Sequence, residues 1–197
     1  MTDIAYPALR FLHVMAFVFM SVPLFNLIVV NERAQLGGAF SYEADTYMEN
    51  IIRRGAGRYF AFQGTVLISG VLLLVTGPLD INALLTNWVV LAKLVLVFAL
   101  MGLLSFVHLR LQPTIDAILA EARPDAPIPD DLPARLKPHR VLRKRLATFC
   151  LFLMIVTIIL GMQVYSRFAP ALTVGLIALA ALFAWRANRT LVRFGWV

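Results

Sequence analysis

The residues in this sequence that are best suited to chemistry are polar side chains that lie inside long apolar segments. They are His13, Asn26, Gln63, Lys93, His108 and Gln163. An ionisable or strongly polar group is costly inside a lipid bilayer, so such residues are candidates for function by default. Arg10 precedes His13 by three residues, and both therefore project from one face of a helix.

Five long stretches with few charges must position these side chains. They lie at 11–31, 59–79, 81–109 (where Lys93 is the only charge), 146–166 and 168–185. A helix needs about 20 apolar residues to cross a bilayer core about 30 Å thick, and only internal hydrogen bonds satisfy its backbone there. The stretches lack the alternation of a membrane barrel, and 60% hydrophobic against 15% charged residues excludes a soluble domain.

We therefore predict an all-α integral membrane bundle that forms a single domain over residues 1–197. Its five transmembrane helices are expected at about 6–30, 59–78, 84–109, 146–165 and 170–190. Fifteen of the 18 lysines and arginines fall in the loops 31–58 and 110–145 and in the C-terminal tail. This bias predicts that the N-terminus is outside and the C-terminus cytoplasmic, and it explains the basic charge without a nucleic-acid partner.

The two long loops differ in their expected structure. Residues 47–54 alternate apolar with charged side chains, which indicates an amphipathic helix at the membrane surface. Residues 123–138 contain five prolines, so we expect this stretch to be extended and irregular. Cys150 is the only cysteine, and we expect it to be a small apolar residue of the fourth helix.

Depth along the helices separates the candidate ligands. His13 and Lys93 each lie about 12 Å from the outer end of their helices and share one layer, whereas His108 lies near the cytoplasmic boundary. Axial ligands must flank one iron, so the difference in depth argues against one haem shared by His13 and His108. His13 is the predicted haem ligand, and His108 with His139 is a candidate for a second haem. The candidates for the sixth position are Met162, Gln163, Lys93 and water.

Three cations are expected near the outer surface. Arg10, Arg167 and a snorkelling Lys93 together suit a ligand that carries carboxylates, such as the two propionates of a haem. Plainer alternatives remain open. His13 is also able to bond a neighbouring helix, Lys93 to snorkel without a ligand, and Met162 to fill a gap between helices.

Several segments resemble a known membrane family. Residues 6–14, where Arg10 precedes His13, resemble the first helix of the HemJ-type protoporphyrinogen oxidases. Residues 27–33, 47–54 and 88–94, the last with Trp88 and Lys93, are similar to that family's later segments, and the wider CopD-like family shares the helix arrangement. The resemblance implies a b-type haem held by His13, with Lys93 and Arg10 as functional basic residues. It also implies oxidation of a porphyrinogen or electron exchange with a quinone.

The leading hypothesis is thus a haem b redox protein of a bacterial inner membrane, a candidate oxidoreductase that forms a homo-oligomer or joins a larger membrane complex. The alternative from another class is a structural or assembly subunit without a cofactor, because apolar helices serve both purposes. Copper handling in the CopD manner is a third hypothesis. It would use His13 and Met162, a small ligand set for copper.

Overall fold

The computed structural model describes residues 2–34, 40–123 and 127–191. The helices in these ranges are α1 (Thr2–Asn31), α2 (Tyr42–Thr76), α3 (Ala83–Thr86), α4 (Trp88–Phe106), α5 (Gln112–Leu119), α6 (Leu132–Met162) and α7 (Pro170–Arg189). A 3₁₀ turn, Glu32–Ala34, follows α1, and a π-helical turn, Val107–Leu111, joins α4 to α5. The described residues contain no β-strand.

Five helical segments are long and apolar enough to cross a membrane, which confirms the predicted all-α bundle of five spans. They are Ile4–Asn31, Tyr42–Thr76, Trp88–Leu119, Leu132–Met162 and Pro170–Arg189. The start of the third span carries a local signal. Asn87 caps α4 by accepting a hydrogen bond from the backbone N–H of Val89 at 3.1 Å.

The predicted loops are largely helical, which corrects the boundaries expected from the sequence. In the predicted loop 31–58, α2 begins at Tyr42 and continues unbroken into the membrane, so the amphipathic segment is its first part. The predicted loop 110–145 contains the helix α5 and the first half of α6. Residues 132–138 are therefore not extended, although Pro124 lies outside the described residues.

Two prolines explain why the sequence did not predict a helix at residues 132–138. Pro133 occupies the first turn of α6, where a backbone N–H would have no partner within the helix, so its ring is tolerated there. Pro138 lies inside α6 and removes one internal hydrogen bond. Tertiary contacts of the same turns offset that loss, because Leu132, Leu136 and Arg140 are all buried.

The π-helical turn changes the direction in which α5 presents its side chains. A π turn contains one residue more than an α turn, so the residues after it are rotated by about 100° relative to an uninterrupted helix. Gln112 and Ile115 of α5 are buried in this register, and Ile115 packs with Leu132 and Leu136 of α6. The turn thus directs a polar side chain, Gln112, into the protein interior.

Helix α6 is the centre of the bundle, with α1, α4 and α7 packed against it and α2 packed against α1. Its most apolar stretch is half buried, whereas that of α7 is 17% buried. The main core joins Met20, Leu24 and Ile28 of α1 to Leu151 and Met154 of α6.

A group of buried charged and polar side chains closes one end of the bundle. We call it the charge cluster, and it consists of Asn31, Glu32, Asp45, Glu49, Gln112, Arg140, Arg143 and Lys144. The end of the bundle that contains it is the Arg143 end, and the opposite end is the Tyr6 end. The positive-inside bias predicts that the Arg143 end is cytoplasmic.

Arg143 is the centre of the charge cluster and is fully buried. Its guanidinium donates to both carboxylate oxygens of Glu49, at 2.7 and 2.8 Å. It also donates to the side-chain oxygens of Asn31 at 2.7 Å and Gln112 at 2.6 Å. One side chain of α6 therefore connects α1, α2 and α5.

The neighbouring charges extend these connections. Arg140 donates to Asp45 at 2.6 Å and to Glu49 at 3.1 Å, so two guanidinium groups of α6 share the carboxylates of α2. Lys144 lies 3.6 Å from Glu32 and donates to the backbone carbonyl of Thr190 at 3.2 Å, which connects α7 to the same end.

Replacing Arg143 by methionine is expected to destabilise the protein by about 3–5 kcal/mol. The substitution leaves the Glu49 carboxylate buried without its main cation, which is the costly way to break a buried ion pair. The measurement is the free energy of unfolding by denaturant titration in mixed micelles. Arg135→Met is the control, since Arg135 pairs with Glu121 on the exposed surface and should have a much smaller effect. Equal losses for the two variants would contradict the role given to Arg143.

Candidate cofactor site

Toward the Tyr6 end, three polar side chains lie within the otherwise apolar bundle. We call this group the polar layer, and it consists of His13 on α1, Ser69 on α2 and Lys93 on α4. His13 Nδ1 lies 2.9 Å from Ser69 Oγ in a hydrogen bond that joins α1 to α2. Lys93 is close enough to His13 for the two side chains to interact electrostatically. The structure therefore brings together the two residues that depth along the helices had placed in one layer.

The hydrogen bonds of Ser69 bear on which nitrogen of His13 carries a proton. The Ser69 hydroxyl has a single hydrogen, and the backbone carbonyls of Thr65 and Val66 in α2 both lie within its reach. When that hydrogen goes to a carbonyl of α2, the hydroxyl accepts from Nδ1–H of His13, and Nε2 keeps its lone pair for a ligand.

Two glycines lie beside the polar layer. A Cβ atom at Gly70 of α2 would lie 3.3 Å from His13 Cε1, closer than an ordinary contact. A Cβ atom at Gly161 of α6 would lie 3.6 Å from Lys93 Nζ. Within residues 2–34, 40–123 and 127–191, no hydrogen bond or ion pair reaches the Lys93 ammonium. This half-buried cation is thus available to an anionic group.

Above the polar layer, the Tyr6 end carries two tyrosines and an arginine. The hydroxyls of Tyr6 and Tyr165 form a 2.8 Å hydrogen bond that joins α1 to the segment after α6. Gly77 lies beneath the ring of Tyr6, where a Cβ atom would come within 2.6 Å. Arg10 is exposed and borders a groove of about 460 Å³ together with Tyr6 and Phe11. Its charge acts on Tyr165, so Arg10 and the tyrosine pair share one site.

The other predicted site residues are not gathered at the polar layer. Met162 is 63% exposed, and Arg167 is exposed on the segment that follows. Gln163 is buried, but its amide donates to the Ile159 carbonyl and accepts from Thr173 of α7 at 3.1 Å. His108 lies in the π-helical turn with its ring against the edge of Phe60. His139 is partly buried on α6.

Ser69, Gly70 and Gly161 belong to the site but were not identified from the sequence. Serine bonds its own helix readily and glycine is frequent in membrane helices, so neither residue type is informative alone. The sequence does place a serine directly before a glycine, Ser69 and Gly70, in the second span. This pair indicates a site only once the structure shows that it faces His13 of α1.

Comparisons with known protein families, curated proteins and solved structures find no match for this chain. In the described parts of the chain, no three histidine, cysteine, aspartate or glutamate side chains come together to hold a metal ion.

Changing Tyr6 to phenylalanine is expected to lower the pKa of Tyr165. Burial raises that pKa from 10.0 to about 12, the hydrogen bond with Tyr6 adds to the rise, and the charge of Arg10 opposes it. The folded protein keeps a proton that the unfolded chain loses above pH 10, so this group makes stability fall between about pH 10 and 12. Ultraviolet titration of tyrosinate checks the shift, with Tyr47→Phe as an exposed control. An unchanged Tyr165 transition would show that the hydroxyl pair does not form.

Proposed function

We propose that this chain is an integral membrane redox protein that binds one b-type haem through His13. A bacterial inner membrane is the proposed location, and a porphyrinogen or a quinone is the proposed redox partner. The proposal is carried by one observation, namely that Nδ1 of His13 hydrogen-bonds Ser69 Oγ, whose hydrogen has carbonyl acceptors in α2, so that Nε2 is the nitrogen that would bind the iron.

The surroundings of His13 fit a haem ligand. Metal-binding histidines commonly donate their second nitrogen to an oxygen acceptor, which fixes both the tautomer and the ring orientation. Ser69 supplies that acceptor, and Gly70 allows the ring to approach α2 closely. In the haem complex, the bound iron supplies one-electron chemistry, whose potential depends on the axial ligands and the polarity of the pocket.

The basic side chains fit the acidic part of such a ligand. Lys93 presents an ammonium beside His13, and Arg10 lies three residues before His13 on α1. Carboxylates of haem or of a porphyrinogen would be held by these cations in a medium where charge pairing is strong. We assign Lys93 the inner carboxylate and Arg10 the one nearer the membrane surface. Met162 and Gln163 would not help to hold the haem, because Met162 is exposed and the Gln163 amide is already hydrogen-bonded.

His13→Ala is expected to abolish haem binding. The variant removes the proposed iron donor and leaves the bundle and the charge cluster in place. Haem per chain is measured by the pyridine haemochrome assay on protein purified in detergent, together with the Soret spectrum. His108→Ala is the matched control and should retain the haem. A His13→Ala protein that keeps its full Soret band would disprove the assignment.

Lys93→Gln is expected to lower the reduction potential of the bound haem by an amount on the order of tens of millivolts. Loss of a positive charge near the iron removes stabilisation of the reduced state, and in a partly buried site the interaction amounts to about 1–2 kcal/mol. Redox titration of the purified protein measures the potential. Arg167→Gln removes an exposed cation and should change it less. An unchanged reduction potential in Lys93→Gln would show that Lys93 does not lie at the haem site.

A structural subunit without a cofactor is the second candidate function, and the charge cluster favours it. That cluster connects α1, α2, α5 and α6 through hydrogen bonds of Arg143, so this end of the bundle is held together without a cofactor. This alternative predicts a colourless purified protein and normal assembly of His13→Ala and Lys93→Gln. Haem quantification therefore separates the two functions in one measurement.

A further inference from the structure

A cavity lies between α1, α2, α4 and α6, separate from the polar layer. Its volume is about 50 Å³, and most of its lining is apolar, including Met20, Leu100, Met154 and Cys150. Three residues with polar side-chain atoms also line it, Tyr59 and Gln63 of α2 and Arg143 of α6. We call it the inner cavity.

Gln63 is unusual among the buried polar residues because its amide oxygen has no partner. The residue is 5% exposed, and no described residue donates a hydrogen bond to its Oε1 atom. A buried acceptor without a donor is costly, and native proteins commonly satisfy such atoms with an ordered water molecule. Gln163, equally buried at 4%, shows the contrast, since its Oε1 accepts from Thr173.

A line of polar groups leads from the surface to the inner cavity. It begins at the half-exposed ion pair between Arg53 and Asp116, in which a guanidinium nitrogen lies 2.8 Å from a carboxylate oxygen. Gln112 donates to the same Asp116 oxygen at 3.0 Å and accepts from Arg143 at 2.6 Å. Arg143 lines the cavity, and Gln63 lies farther along it. Hydrogen-bonding groups are therefore present from the Arg143 end to the middle of the bundle.

The upper boundary of the inner cavity lies two helical turns below the level of the polar layer and its two neighbouring glycines on all four helices. The pairs seven residues apart are His13 and Met20, Gly70 and Gln63, Lys93 and Leu100, and Gly161 and Met154. Seven residues correspond to about 10 Å. Ala16, Val66 and Val97 form a buried apolar cluster in the intervening turns, which we call the plug.

We propose that the inner cavity is a water-binding site that extends the polar line of the charge cluster to Gln63. A water molecule needs about 10–15 Å³ of such space and two to four polar partners, so the cavity has room for a water at Gln63. The water bound at Gln63 donates to Oε1, and the file continues toward Arg143. The plug closes the site toward the polar layer. Water thereby reaches the middle of the bundle from the Arg143 end but does not reach His13.

Cys150 is a native reporter of this water. It is the only cysteine of the chain and lines the inner cavity, so its S–H stretching band in the infrared spectrum is unambiguous. The full-length protein in lipid nanodiscs is transferred to D₂O, and conversion of S–H to S–D is followed beside exchange of the amide hydrogens of α6. A hydrated cavity predicts thiol exchange at least ten times faster than exchange of those amides. Equal rates would mean that the thiol exchanges only when the helix opens, and they would overturn the proposal.

Gln63→Met provides the second arm, because methionine has nearly the shape of glutamine without its hydrogen-bonding atoms. Loss of the water held at Gln63 should slow thiol exchange at least fivefold and should not raise stability. Gln163→Met is the matched control, which loses its bond to Thr173 and should leave the thiol exchange rate unchanged. A Gln63→Met protein that is more stable than wild type would show that the cavity is dry.

The proposal does not depend on the haem. The inner cavity and the polar layer are separated by the plug, and the infrared measurement requires no cofactor. A colourless protein with rapid thiol exchange would refute the haem assignment and support the water site. A haem-containing protein with slow exchange would do the reverse.

Discussion

The ion pair between Arg143 and Glu49 is the interaction on which the rest of the bundle depends. Both side chains are buried, and a charge in such surroundings is tolerated only when it is paired and fully hydrogen-bonded. Arg143 meets this requirement with donors to α1, α2 and α5. A helix that slid by one residue would leave a charge unpaired, so the cluster fixes how these helices align.

This alignment extends through the membrane because straight helices carry it from one end to the other. Residues seven positions apart on a helix lie nearly on one line, since seven residues make about two turns. The charge cluster, the inner cavity, the plug and the polar layer therefore follow one another at regular levels. Polar levels alternate with apolar ones, and the apolar plug keeps the His13 level away from the charges of the opposite end.

The two polar levels differ in how their charges are satisfied. In the charge cluster, each of the three cations of α6 has a carboxylate partner within the chain. In the polar layer, the described residues offer Lys93 neither an ion pair nor a hydrogen bond. A satisfied group holds helices together, whereas an unsatisfied group attracts a ligand. This contrast is why the proposed cofactor site lies at the Tyr6 end.

The sequence by itself determined that the chain forms five membrane-spanning helices and that His13 and Lys93 lie at similar depths. Both follow from local quantities, namely the length of apolar stretches and the rise per residue of a helix. It did not reveal that residues 132–145 are helical, because prolines and charges normally mark loops and only burial against α2 and α5 overrides them. Nor did it reveal Ser69 beside His13, Glu49 beside Arg143, or the unpaired oxygen of Gln63. These depend on which helix faces which, and pairings between distant segments are decided by the packing of the whole bundle.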